Sequence, residues 1–171
     1  IIGQGGLGAL LNVGKLVHNY VGPAFAVFLV LMFVAFLRDN VWHASDAIWI
    51  RKAGGLMSGE HVPSGRFNFG EKTWFWIGVT FIGLTVAVTG LIMNFPQFGQ
   101  TRADMQLANI IHAIGATLML ALAFGHIYMG TLGVEGAYQS MKTGYVDETW
   151  GKEHHQLWYE EARTGGKLGK P

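Results

Sequence analysis

Three apolar stretches dominate this chain, and each is long enough to cross a bilayer. They run from about Val13 to Leu37, from Thr73 to Met93 and from Leu107 to Leu132. A helix of about 20 apolar residues spans the roughly 30 Å of hydrocarbon in a membrane. Open strands at that depth would leave backbone groups unsatisfied, so the stretches are read as helices. The expected fold class is an all-α membrane protein, a transmembrane bundle with three spans in this chain. The bundle is expected over residues 1–132. A polar tail follows over 133–171, amphipathic around Val134–Thr143.

Composition agrees with this reading. Half of the 171 residues are hydrophobic and only 13% are charged, against about 25% in soluble domains. Net charge is +1, which gives no ground for nucleic-acid binding. Cysteine is absent. That removes disulfides, cysteine-ligated iron–sulfur clusters and thiolate catalysis from this chain. The sequence opens at Ile1 with a Gly-rich run through Gly8 and no charged n-region. It does not read as a signal peptide. The start is expected to lie inside a longer protein or to be its first ordered residue.

Lys and Arg set the expected orientation. Arg38, Arg51, Lys52, Arg66 and Lys72 lie between the first two stretches, and Lys142, Lys152, Arg163, Lys167 and Lys170 lie after the third. The other side has Lys15 and Arg102. The first loop and the C-terminus are therefore expected in the cytoplasm, with Trp42, Trp49, Trp74 and Trp76 as interfacial aromatics. Gly22, Gly78, Gly83, Gly90, Gly115 and Gly125 would let helices, or a flat cofactor, approach a backbone.

Ionisable groups at membrane depth are costly and usually functional. His18 lies in the first stretch, and His112 and His126 lie in the third. The 14 residues between the latter two are close to four helical turns. Both rings therefore leave one face, about 21 Å apart along the axis. Two same-face imidazoles near opposite leaflets suggest two metal cofactors, and haem iron commonly takes axial His. His18 and His112 occupy similar depth and can clamp one haem. His126 needs another ligand, either Met32 or a His from a helix outside this chain. The bland alternative is that all three are hydrogen-bonding histidines between helices. His43, His61, His154 and His155 read as ordinary solvated side chains. The Asn68–Lys72 stretch reads first as a helix-start turn. Asn68 would cap it, and Lys72 would meet headgroups or a haem propionate.

The sequence also resembles the gamma, cytochrome b subunit of membrane-bound respiratory formate dehydrogenase. The matching stretches are Gly65-Arg66-Phe67-Asn68-Phe69-Gly70-Glu71-Lys72-Thr73-Trp74-Phe75-Trp76, Val88-Thr89-Gly90, Ile111-His112-Ala113, His126-Ile127-Tyr128-Met129 and His154-His155-Gln156-Leu157-Trp158-Tyr159. The resemblance covers about Val17 to Glu161. It implies a four-helix bundle with two b-type haems, of which the family's first helix has no counterpart here. It implies His18 and His112 as ligands of the outer haem iron, and His126 as a ligand of the inner one, partnered by a His on that first helix. It carries the family's quinone site to Asn68, Gly70 and Glu71, near His126. Glu71 stands where the family often has Gln, and Asn19 where it often has Pro.

The resemblance further implies an electron-transfer and quinone-reducing subunit in the bacterial inner membrane. Its partners would be an iron–sulfur beta subunit and a molybdenum or tungsten alpha subunit that oxidises formate, in a complex open to higher oligomers. Two alternatives stand beside it. One is the cytochrome b subunit of a membrane-bound hydrogenase or another molybdoenzyme. The other is a haem-free membrane anchor.

Overall fold

A computed structural model describes residues 3–55 and 59–165. Ile1, Lys167 and Lys170, which entered the reading above, lie outside the described residues. Helix α1 is Gln4–Phe36, α2 Ala44–Arg51, α3 Phe69–Asn94 and α4 Arg102–Gly133. The tail carries α5 (Ala137–Thr143), α6 (Glu148–His154) and α7 (Gln156–Thr164). No strand occurs among the described residues. Helices α1, α3 and α4 are long and apolar enough to cross a membrane. This is the expected all-α membrane architecture.

Each long helix starts earlier than its apolar stretch, and the caps of α3 and α4 explain why. The Asn68 side chain accepts from Glu71 N at 3.0 Å, and the Glu71 carboxylate accepts from Asn68 N at 2.8 Å. Thr101 and Asp104 do the same for α4, at 3.2 and 2.8 Å. Each pair satisfies two donors that a bare helix start would leave orphaned. Within α3, wide π-type turns run over Trp74–Gly83 before α-geometry resumes at Leu84.

Contacts divide the chain into two compact units. The first comprises Ile1–Ala35 and Val79–Leu120. Pro23 lies inside α1 and has no N–H, so the carbonyl four residues earlier, on Asn19, loses its helical donor. Asn94, at the end of α3, donates its side-chain amide to that oxygen at 3.1 Å. One missing hydrogen bond thus becomes a tie between α1 and α3, one residue from His18.

The second unit comprises Phe36–Gly78 and Ala121–Pro171. Its centre is an ion pair. Lys72 Nζ lies 2.8 and 3.1 Å from the Asp46 oxygens and donates to Val41 O at 3.0 Å. Both side chains are almost fully buried. Lys72 therefore meets neither headgroup nor propionate, which corrects the sequence expectation. The aliphatic stem of Lys72 is drawn inward because Asp46 waits there, fixed by its own bond from His43 N at 2.7 Å. Trp76 donates its indole N–H to Asn40 O at 2.9 Å while its ring stays half exposed, the two-sided use of Trp common at interfaces.

The tail is more ordered than its polarity foretold. Leu157 N donates to Ser64 O at 3.0 Å, and Tyr159 and Ala162 are buried. Glu148 receives Lys152 at 2.7 Å and the Tyr159 hydroxyl. The Lys152 ammonium and then the Tyr159 hydroxyl hold the Glu148 carboxyl below its ordinary range. Its contribution to the docked tail is thus present at neutral pH and lost as pH falls through that lowered value.

Candidate functional site

His18 on α1 and His112 on α4 come together in the first unit. Their ring centroids are 6.0 Å apart and their planes stand at 81°. Both line a cavity of about 920 Å³ walled by α1, α3 and the start of α4. Bonds from a metal to imidazole nitrogen are about 2 Å long, which sets two ring centres on one metal about 6 Å apart. The observed spacing accommodates one metal centre between the rings. Two imidazoles are too few for a tetrahedral metal site. They are the number of axial ligands that a haem takes.

The orientation of His112 is built by α3. Its Nδ1 lies 3.0 Å from Val86 O and 3.1 Å from Thr89 Oγ1. A carbonyl can only accept, so Nδ1 carries the hydrogen, which in the neutral ring leaves the lone pair on Nε2. Thr89 spends its own hydrogen on Thr85 O at 2.6 Å and turns an oxygen towards the ring. Histidines that bind metals usually have their second nitrogen fixed in this way. Gly90 makes the approach possible. A Cβ at Gly90 would lie 3.0 Å from His112 Cε1, so the ring would have to shift by a few tenths of an ångström. The glycine uncovers the carbonyl one turn back, on Val86.

In the second unit, Asn68 and Glu71 meet in the α3 cap already described, and Gly70 between them packs on Trp49, where a Cβ would come within 3.3 Å of the ring. One Glu71 oxygen serves the cap. The other faces His155 Nε2 at 3.9 Å. His155 is not solvated, as its place in a polar tail led one to expect. It is 7% exposed, and its Nδ1 donates to Gly65 O at 3.0 Å. Trp150 lies against it at 5.2 Å and stacks on His154 at 4.6 Å. His126 stacks on Trp74, one turn after Gly70, with centroids 5.4 Å apart and planes at 19°.

Residues 3–144 match the family model described as prokaryotic cytochrome b561. The chain belongs to that family. It is 32% identical over 156 residues to the nitrate-inducible formate dehydrogenase cytochrome b556(Fdn) subunit of Escherichia coli K12, covering 88% of this chain and 70% of that protein. It is 29% identical over 155 residues to the formate dehydrogenase cytochrome b556(fdo) subunit of the same strain, covering 89% and 72%. The formate dehydrogenase cytochrome b556 subunit of Haemophilus influenzae is 25% identical over 175 residues, covering 93% and 73%.

The stretch matched to cytochrome b561 contains His18, Asn68, Gly70, Glu71, His112 and His126. The cradle of Val86, Thr89 and Gly90 also lies inside it, and sequence reasoning missed its role. The signal was present: a glycine after a threonine inside an apolar helix, with a histidine on the next span. His155 was missed for another reason. Nothing local in a polar tail announces that Ser64 and Gly65 will dock it.

Proposed function

We propose that this chain is the haem b membrane subunit of a formate dehydrogenase complex and passes electrons from a partner iron–sulfur subunit to quinone. The carrying observation is the facing pair His18 and His112 across a cavity, in a cytochrome b561 chain similar to formate dehydrogenase cytochrome b556 subunits. Bound there, haem b supplies a reversible one-electron carrier. His18 and His112 would hold its iron. Val86 O fixes the His112 tautomer, and Thr89 steadies the ring. The dihaem bundle occupies residues 1–132, with 133–171 as its tail. His126, stacked on Trp74, is the proposed ligand of a second haem b, which Met32 or a His from another helix would help to hold.

The quinone site is proposed at Asn68, Gly70, Glu71 and His126. Quinone reduction consumes two protons for two electrons. The free Glu71 oxygen facing His155 supports a proton-handling role at that site. The 171 residues offer no thiolates for clusters, which supports an iron–sulfur beta subunit and a molybdenum or tungsten alpha subunit as partners. The Lys and Arg distribution supports a bacterial inner-membrane location with the C-terminus in the cytoplasm.

Gly90→Ala is expected to displace the His112 ring and weaken haem retention by about 10-fold, the scale seen when a ligand's orienting shell is disturbed. Haem-to-protein ratios after detergent washing check this. An unchanged ratio would mean that the cradle does not hold a ligand. The function itself is tested on complex purified through its catalytic chain without oxygen. Added formate is expected to raise the reduced b-type band. A band raised by hydrogen and not by formate would assign the chain to a different donor enzyme. No band at all would make it a haem-free anchor.

A further inference from the structure

We infer that Lys15 and Arg102 form the carboxylate-binding end of the His18–His112 cavity, and that the carboxylates they bind are the propionates of haem b. The inference rests on the reading of His18 and His112 as axial ligands, but a different observation carries it. Both basic side chains line that cavity. On α1, Lys15, His18 and Gly22 recur at steps of three and four residues. On α4, Arg102, Asn109 and His112 recur at seven and three. Each set shares one helix face, and all of these residues line the cavity. Each wall therefore runs from a cation to an imidazole.

The two cations stand at the same end of the cavity. Asn94, which closes α3, is tied to Asn19 on α1 at 3.1 Å. The chain turns there through Pro96–Phe98 and returns as α4 from Arg102. Asn94, Pro96 and Arg102 all line the cavity with Lys15 and Asn19. The remaining wall sets apolar side chains, Phe25, Val86 and Leu91 among them, beside the amides of Gln106 and Asn109 on α4. The cavity thus offers apolar side chains from α1 and α3 along much of its length and cations at one end.

That distribution matches one ligand chemistry. A macrocycle with apolar faces carries its carboxylates on one edge. Burying a carboxylate without a cation is costly, and charge-assisted hydrogen bonds from Lys or Arg offset that cost. Arg adds a planar fork that fits a carboxylate oxygen pair. The placement is also selective within the sequence. The side of the membrane holding these residues is the one depleted in basic residues. Its two named cations, Lys15 and Arg102, both converge on this cavity.

A cation near a redox centre favours the state with one more electron. Lys15→Gln and Arg102→Gln, made in the whole purified complex, are each expected to lower the midpoint potential of the His18–His112 haem. The double variant lowers it further. Redox-difference infrared spectra, taken with haem isotope-labelled at the propionate carboxyls, are expected to shift in the same variants. Lys15→Arg restores both signals. Loss of the b-type band from the double variant alone, with the band kept in each single variant, also supports the inference.

Unchanged potentials and unshifted carboxylate bands overturn it. A fall in potential with unshifted carboxylate bands overturns it too, because that marks charge acting at a distance. The underlying reading fails separately. If the band survives both His18→Ala and His112→Ala, the axial assignment falls and this inference falls with it. If those variants lose the band while Lys15 and Arg102 prove inert, only the carboxylate end is wrong.

Discussion

His112→Ala is expected to abolish the b-type absorption of its cavity, and His18→Ala to do the same. The two rings lie 6.0 Å apart, so a metal between them draws on both. Losing either leaves one ligand and an open face. The double variant is expected to be no worse than either single one, since residues serving one centre are not additive. Added imidazole is expected to restore part of the band in His112→Ala, because the cavity that held the ring remains. His126→Ala, by contrast, is expected to leave this band intact and to remove a different one. Reduced-minus-oxidised spectra with haem quantified per complex check these outcomes. Full retention of the band in His112→Ala would contradict the assignment.

The second large effect concerns stability. Asp46→Ala leaves the Lys72 ammonium buried without its partner. Removing one member of a buried ion pair typically costs about 3–5 kcal/mol, because the remaining charge is left uncompensated. Here the two side chains are 5% and 3% exposed, which places the pair in that class. Asp46 also caps α2 through His43 N, so about 1 kcal/mol more is lost with it. Asp46→Leu combined with Lys72→Met is expected to recover most of the loss, since an apolar replacement of a buried pair is often neutral. Thermal unfolding in detergent, read by circular dichroism, measures the difference. A loss below about 1 kcal/mol would show that the pair is solvated in the protein.

The spans were legible in the sequence because bilayer physics leaves a long apolar stretch few options. The His18–His112 pairing was legible for a related reason. Three spans in sequence fix which helix ends share a side, so depth follows from counting residues. The Asn68 cap was equally readable, since an Asn followed three residues later by Glu carries its own partner. The opposite holds for Lys72. Its fate depended on Asp46, 26 residues earlier in α2, and nothing near Lys72 signals that pairing. His155 was hidden in the same way, its burial set by Ser64 and Gly65 about 90 residues upstream. Local chemistry and span order thus revealed the caps and the facing His18 and His112 rings, while long-range pairing decided which charged groups were buried.

The angle between the two imidazoles offers the most direct test of the central claim. At 81° the ring planes are nearly perpendicular. With iron held between them, each ring would act on a different one of two iron orbitals of π symmetry. The two orbitals would stay close in energy, and the unpaired electron of the oxidised iron would keep much of its orbital moment. Electron paramagnetic resonance of the oxidised complex is therefore expected to show a strongly anisotropic low-spin signal that disappears in both His18→Ala and His112→Ala. A signal of ordinary rhombic shape would mean parallel rings, a high-spin signal would mean a missing ligand, and either one as the sole haem signal would contradict the account.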